Sequence, residues 1–192
     1  MGNRTTDRSD PLGLFAWFSD VSLAGWNPIK DLHRTLWSIV ITYQLQPMGY
    51  DVAAELLRWS LQDNPADLHI PSTHFISKKI ATSAEYQSFK KQIIDGLEPC
   101  KTVAKSVWIE FKEGDLFAAF HYGEMRYKAC KDCSGKVEFH ALIKDRYDFD
   151  PELRGYYRGY GMKWLAVVAN NMAWTDQLFG VIQNYNIEVE VE

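Results

Sequence analysis

At Pro99 the hydrophobic pattern of this chain changes its period, and that change limits which folds its 192 residues can adopt. Before it, apolar residues recur every three to four positions. Ile29, Leu32, Leu36, Val40 and Tyr43 draw a stripe that ends before Pro47, with the spacing of one helix face. A second helix is expected from Asp51, a residue suited to capping, with Val52, Leu56 and Leu57 on one side. Ser83 caps a third, along which Tyr86, Phe89, Ile93, Ile94 and Leu97 align. These stripes are expected to face a core.

After Pro99 the period is two. Val103, Val107, Ile109 and Phe111 hold alternate positions before a Glu113-Gly114 turn. Leu116 to Tyr122 and Met125 to Ala129 read as further strand, with Gly123 as a bulge or bend between them. Val137, Phe139, Ala141 and Ile143 alternate with Glu138, His140 and Lys144, and at the end Ile187, Val189 and Val191 alternate with glutamates. Trp164, Leu165, Val168 and Met172 mark a helix between these two strands. The expected fold is α+β: N-terminal helices, then a mostly antiparallel, half-closed sheet with one inserted helix.

With 46% hydrophobic and 14% aromatic residues, the chain has enough apolar mass for one compact domain or a domain with a small appendage. No apolar stretch approaches the ~20 residues that span a bilayer. The polar start, Met1 to Arg8, lacks a signal-peptide core, so export by the general secretory route under its own signal is not expected. A net charge of −4 gives no general attraction to phosphate backbones, and no nucleic-acid partner is expected. Cys100, Cys130 and Cys133 are too few for a disulfide framework. Cys130 and Cys133 read as hairpin-turn residues able to pair in an oxidising compartment, in preference to a metal site.

The densest chemistry lies in Asp145-Arg146-Tyr147-Asp148-Phe149-Asp150-Pro151-Glu152-Leu153-Arg154-Gly155, which begins where the preceding strand is expected to run out. Its Asp145-x-Tyr147-Asp148-Phe149 core, followed by Arg154-Gly155, resembles the catalytic signature of the colicin M family: D-x-Y-D-F, a short spacer, then H-R-G. The resemblance extends weakly over roughly residues 100–192. Here the spacer is one residue shorter, and Leu153 stands where the family has histidine. His140 and His121 are the nearest replacements, His140 being an exposed residue on strand parity.

That resemblance implies cleavage of lipid II, the lipid-linked peptidoglycan precursor, in the periplasm of target bacteria. It implies Asp145, Tyr147, Asp148 and Arg154 as catalytic residues, with Asp145 and Asp148 also holding Mg²⁺ or another divalent cation. Tyr156, Arg158 and His140 are candidate substrate-binding residues. A second resemblance lies at Asp10-Pro11-Leu12-Gly13-Leu14, which is similar to the DPxGL motif closing the core of Rhs proteins, shells that carry toxins at their C-termini. It implies cleavage between Leu14 and Phe15. Residues 1–14 would then be the end of the shell, 15–99 a helical part of the toxin, and 100–192 the catalytic part.

The residue types suit the chemistry. Phosphodiester cleavage needs neutralised phosphate oxygens, an aligned nucleophile and a stabilised leaving group. Arg154 offers a bidentate guanidinium, and an aspartate pair holds a cation or activates water. Tyr147, with an ordinary pKa of ~10, is suited to orientation and hydrogen bonding and is a poor base at neutral pH. Asp150 and Glu152 read as turn residues around Pro151.

Expected partners are lipid II or a related polyprenyl-pyrophosphate, an immunity protein in the producer, the Rhs shell before release, and a membrane surface. Phe15, Trp17, Phe18 and Trp26 suit a membrane surface or the shell equally. Two alternatives remain at this stage: a membrane-damaging toxin, and a cytosolic nuclease or nucleotide-modifying toxin.

Overall fold

The computed structural model describes residues 27–150 and the backbone of 164–192, with side chains from residue 169 onward. Helix α1 (Pro28–Val40) starts where the Asn27 side chain accepts a hydrogen bond from the Lys30 amide at 3.1 Å and Pro28 fills the first turn. It continues through a π turn (Ile41–Leu45) and a 3₁₀ turn (Gln46–Met48). Most of its aliphatic stripe does not meet a core. Of the expected stripe, Ile29, Leu32, Leu36 and Tyr43 are exposed and Val40 packs partly buried against the core, while Ile39 is also exposed and Trp37 and Ile41 are the buried residues. A polar anchor holds the flank beside it. Asp176, buried in α6 (Trp164–Leu178), accepts from Trp37 Nε1 at 2.6 Å and lies 2.8 Å from His33 Nδ1.

Helix α2 (Asp51–Ser60) takes Asp51 as its first residue, so Asp51 is not the cap. The cap comes from far along the chain. The buried Asp115 carboxylate accepts from the Val52 and Ala53 amides, both at 2.9 Å, and pairs with Lys79. A side chain 62 positions from Ala53 thereby satisfies two of the amide donors that every helix start leaves open. Strand β1 (Leu68–Ile70) and helix α3 (Phe75–Thr82) have no counterpart in the sequence reading. Helix α4 (Ala84–Asp95) begins as expected, with Ser83 Oγ accepting from the Tyr86 amide at 3.3 Å.

Strand β2 (Lys101–Glu110) is followed by a helix where strand is expected from Leu116. Helix α5 (Gly114–Ala119) starts from Gly114, whose φ of 69° suits glycine, and buries Asp115, Leu116, Phe117 and Ala119. Strand β3 therefore begins only at Tyr122 and runs to Lys131. Gly123 makes no bulge but pairs in register with Ile109. Its missing side chain is a packing requirement, because a Cβ there would sit 2.9 Å from Ile143 Cγ2.

Strands β4 (Val137–Tyr147) and β5 (Tyr185–Val191) complete a mixed α+β fold with an open sheet of order β1-β5-β4-β3-β2. All pairs are antiparallel except β1 with β5. Odd-numbered residues of the long strands face the helices: Ile109, Met125, Phe139, Ile143, Ile187, Val189 and Val191 are buried. The first-half elements share this core, since β1 joins the sheet beside β5 and α3 packs on β5.

The disulfide joins Cys100 to Cys133, so the expected Cys130–Cys133 pair does not form and Cys130 keeps its thiol. Register explains this. Thr102 lies opposite Cys130 and Lys101 opposite Lys131, so the next step back along β2 brings Cys100 to the β3–β4 turn.

Replacing Asp115 with alanine removes both acceptors at the start of α2 and takes the ion-pair partner from Lys79. Asp115→Ala is expected to lower unfolding free energy by about 2–4 kcal/mol in urea titration. A change below ~0.5 kcal/mol would show that this remote cap contributes little.

Candidate active site

Strand β4 does not stop before the acidic motif. It carries the first three motif residues, with Asp145 opposite Ile187, Arg146 opposite Asn186 and Tyr147 opposite Tyr185. Strand parity then places the Asp145 side chain on the helix-covered face, in line with Ile143 and Tyr147. Removing a carboxylate from water disfavours its charge. Burial, aided by the nearby negative charge of Asp148, raises the Asp145 pKa to about 7, even though the Arg146 amide donates to Asp145 Oδ1 at 2.8 Å.

Asp148 lies just past the strand end. Partial burial and the charge of Asp150 raise its pKa, while Arg146, 3.7 Å away, opposes the shift. Between the two carboxylates, Tyr147 is anchored in the core. It is only 6% exposed, stacks on Tyr185 with ring centres 5.2 Å apart, and meets Phe149 edge-on at 5.3 Å. Tyr185 in turn donates to the Leu56 carbonyl at 2.7 Å, tying the site to α2. Burial raises both phenol pKa values, so neither tyrosine serves as a base at neutral pH.

Beyond Tyr147 the chain has lost its β5 partner, and α6 takes over. Gln177 accepts from the Phe149 amide at 2.8 Å and donates back to the Phe149 carbonyl at 3.3 Å. Asn170, on the same helix, donates to the Asp150 carbonyl at 2.7 Å.

The structure therefore brings together Asp145, Tyr147 and Asp148. His140 lies apart from them, on the opposite face of β4, where it is exposed and 3.9 Å from Glu192. It borders an open groove of about 520 Å³ with Arg126, Lys128, Leu142 and Glu190, on the face away from Asp145. His121 is better placed. It immediately precedes β3, whose ladder with β4 opens at Glu124 and Lys144, so it lies at the sheet end where the motif emerges. Its ring packs near Phe117 and Tyr122, and burial lowers its pKa. Arg154, Tyr156 and Arg158, like Leu14 and Phe15, lie outside the described residues.

Tyr185, Gln177 and Asn170 are site residues absent from the sequence reading. Tyr185 had a signal, because the alternation of Ile187, Val189 and Val191 extends back to it and puts it on the core face. The two helix amides had none.

Among the described residues, no group of three or more His, Cys, Asp or Glu is arranged to hold a metal. Asp145 and Asp148 nonetheless form a pair of hard oxygen donors close enough for one charge to shift the other. Such a pair fits an ion like Mg²⁺, which keeps several waters and needs few protein ligands.

No family model matches the chain, and no curated protein matches it. A structure of truncated bacteriocin syringacin M from Pseudomonas syringae pv. tomato DC3000 is similar over 73% of this chain and 55% of that one, with 15% identity and a TM-score of 0.33. A mutant of syringacin M from the same source is similar over 73% of this chain and 48% of that one, with 14% identity and a TM-score of 0.33. The chain thus spans about half the length of these structures.

The Asp145 pKa carries a stability signature. Free of divalent cations, the folded protein holds the Asp145 proton up to about pH 7, whereas the unfolded chain releases it near ~3.9. Folded protein therefore binds more protons across that window, so stability falls as pH rises through it and levels off above pH 7. Asp145→Asn is expected to match wild type at low pH and to exceed it by about 1–3 kcal/mol at high pH. Parallel stability–pH curves from urea titrations would contradict this assignment.

Proposed function

We propose that this chain is an antibacterial toxin domain that hydrolyses lipid II, or a related polyprenyl-pyrophosphate, releasing the polyprenyl alcohol. The observation that carries the proposal is the pairing of Asp145 with Asp148 at one strand end, one carboxylate half-buried on the core side and the other exposed. The D-x-Y-D-F spacing and the following Arg154-Gly155 support the same reading.

In this scheme a water oxygen bonds to phosphorus, and the bond from phosphorus to the polyprenyl oxygen breaks. Asp145, as the carboxylate, accepts the water proton, and solvent protonates the departing alkoxide. Asp145 and Asp148 would together hold Mg²⁺, which when bound supplies positive charge to the phosphate oxygens. Tyr147 keeps the two carboxylates at a fixed spacing through its stack on Tyr185. Arg154 is assigned to phosphate recognition.

The similarity of Asp10 to Leu14 to an Rhs junction supports delivery as secreted cargo cut after Leu14, with action in the target periplasm and a cognate immunity protein in the producer. The exposed stripe from Ile29 to Tyr43 suits work at the membrane surface that holds such a substrate. It also favours a second reading, membrane damage without catalysis. No described helix is long and apolar enough to cross a membrane.

Incubating purified protein with lipid II and Mg²⁺ is expected to release polyprenyl alcohol, with Asp148→Ala reducing the rate at least ~100-fold. Chelation should abolish release. Dye leakage from vesicles lacking lipid II, undiminished by Asp145→Ala, would favour membrane damage instead.

A further inference from the structure

We infer that Gln177, on α6, is a positioning residue that fixes where the Asp148 carboxylate points, by standing in for the strand partner the chain has just lost. The inference rests on Asp145 and Asp148 being the cation-holding pair of the proposed site.

The last ladder pair is Tyr147 with Tyr185. One residue beyond Asp148, Phe149 has an amide and a carbonyl that β5 no longer reaches, and backbone groups near a core need partners. Gln177 meets both. Its carbonyl oxygen accepts from the Phe149 amide at 2.8 Å, and its amide nitrogen donates to the Phe149 carbonyl at 3.3 Å. A primary amide has the donor and acceptor layout of a peptide group, so this closed pair of bonds copies an antiparallel strand contact.

Asp148 is thus bracketed. Tyr147 before it is held by the ladder and the Tyr185 stack, and Phe149 after it is held by Gln177 and by its ring against Tyr147. The Asp148 side chain itself has a weaker hold, a 3.7 Å contact with Arg146. Its direction therefore follows from its backbone. Asn170 extends the same support one residue further by donating to the Asp150 carbonyl at 2.7 Å. The two amides are seven positions apart on α6, which puts them on one face of the helix. Neither touches the substrate or a cation in this account.

Chemical type matters here in a testable way. Methionine at 177 keeps the length and flexibility of the side chain but can neither accept from nor donate to Phe149. If Gln177 only fills space, Gln177→Met should behave as wild type. If it positions Asp148, Gln177→Met should fail as Gln177→Ala does, although the protein stays folded.

The experiment is Mn²⁺ binding by titration calorimetry on wild type, Gln177→Met, Gln177→Ala and Asn170→Ala, with circular dichroism confirming the fold and polyprenol release measured in parallel. Losing a supporting partner of a metal ligand typically weakens binding 10–100-fold. Gln177→Met and Gln177→Ala are expected to lose Mn²⁺ affinity about tenfold and kcat in step, with KM for lipid II little changed. Asn170→Ala is expected to show a smaller loss in the same direction. Mn²⁺ affinity equal in wild type and Gln177→Met, or absent from both, would overturn the inference. If Gln177→Met does not fold, an Asn170→Ala affinity equal to wild type overturns it instead. Absence of polyprenol release by wild type would remove the functional reading while leaving the Mn²⁺ comparison to decide this one.

Discussion

A carboxylate partly withdrawn from water at the end of a core strand sets the terms for the acidic edge of this fold. Asp145 follows Phe139, Ala141 and Ile143 on the buried side of β4, a place where an aliphatic residue would be the stabilising choice. Its burial disfavours the charged form, one backbone amide offsets that in part, and Asp148 makes it worse. Proteins retain such arrangements where the charge is used, and strain of this kind concentrates at functional sites. The surroundings hold the carboxylate in place against the disfavoured charge. The β4–β5 ladder keeps Asp145 opposite Ile187, Tyr147 and Tyr185 stack beside it, and Tyr185 is fastened to α2.

The helices supply what the sheet cannot. Once β4 leaves β5, α6 binds Phe149 and Asp150 through side-chain amides, and its buried Asp176 also anchors α1 through Trp37 and His33. A single helix therefore connects the acidic motif to the helix with the exposed apolar stripe. Charged groups at the strand end and exposed apolar surface on α1 thereby share one framework.

Much of this was readable in the sequence, and the failures have physical causes. Strict alternation identified β4 and β5, because half-buried strands leave an unambiguous period of two. The same parity, carried two residues further, would have shown that Asp145 belongs to the strand and faces inward. Leu116 to Tyr122 misled because a short apolar run fits a buried helix as well as a strand. The stripe on α1 had true helical spacing, yet spacing does not say what the face meets, and a Trp37–Asp176 contact across 139 positions turned the neighbouring flank inward. Cys100 pairs with Cys133 because of strand register, which local composition does not reveal. Gln177 and Asn170 are ordinary helix residues until the chain they support is seen beside them. At the site itself, the motif pointed to Asp145, Tyr147 and Asp148, which the structure groups, and to His140, which it puts on the other face of the sheet.

The most direct test of the central claim follows the oxygen atom. Lipid II is incubated with the protein and Mg²⁺ in water enriched in ¹⁸O, and both products are weighed by mass spectrometry. If Asp145 and Asp148 direct water onto phosphorus, one ¹⁸O appears in the soluble pyrophosphoryl product, none appears in the polyprenyl alcohol, and Asp145→Asn yields neither product. Label in the alcohol, or labelled product formed equally well by Asp145→Asn, would contradict the account.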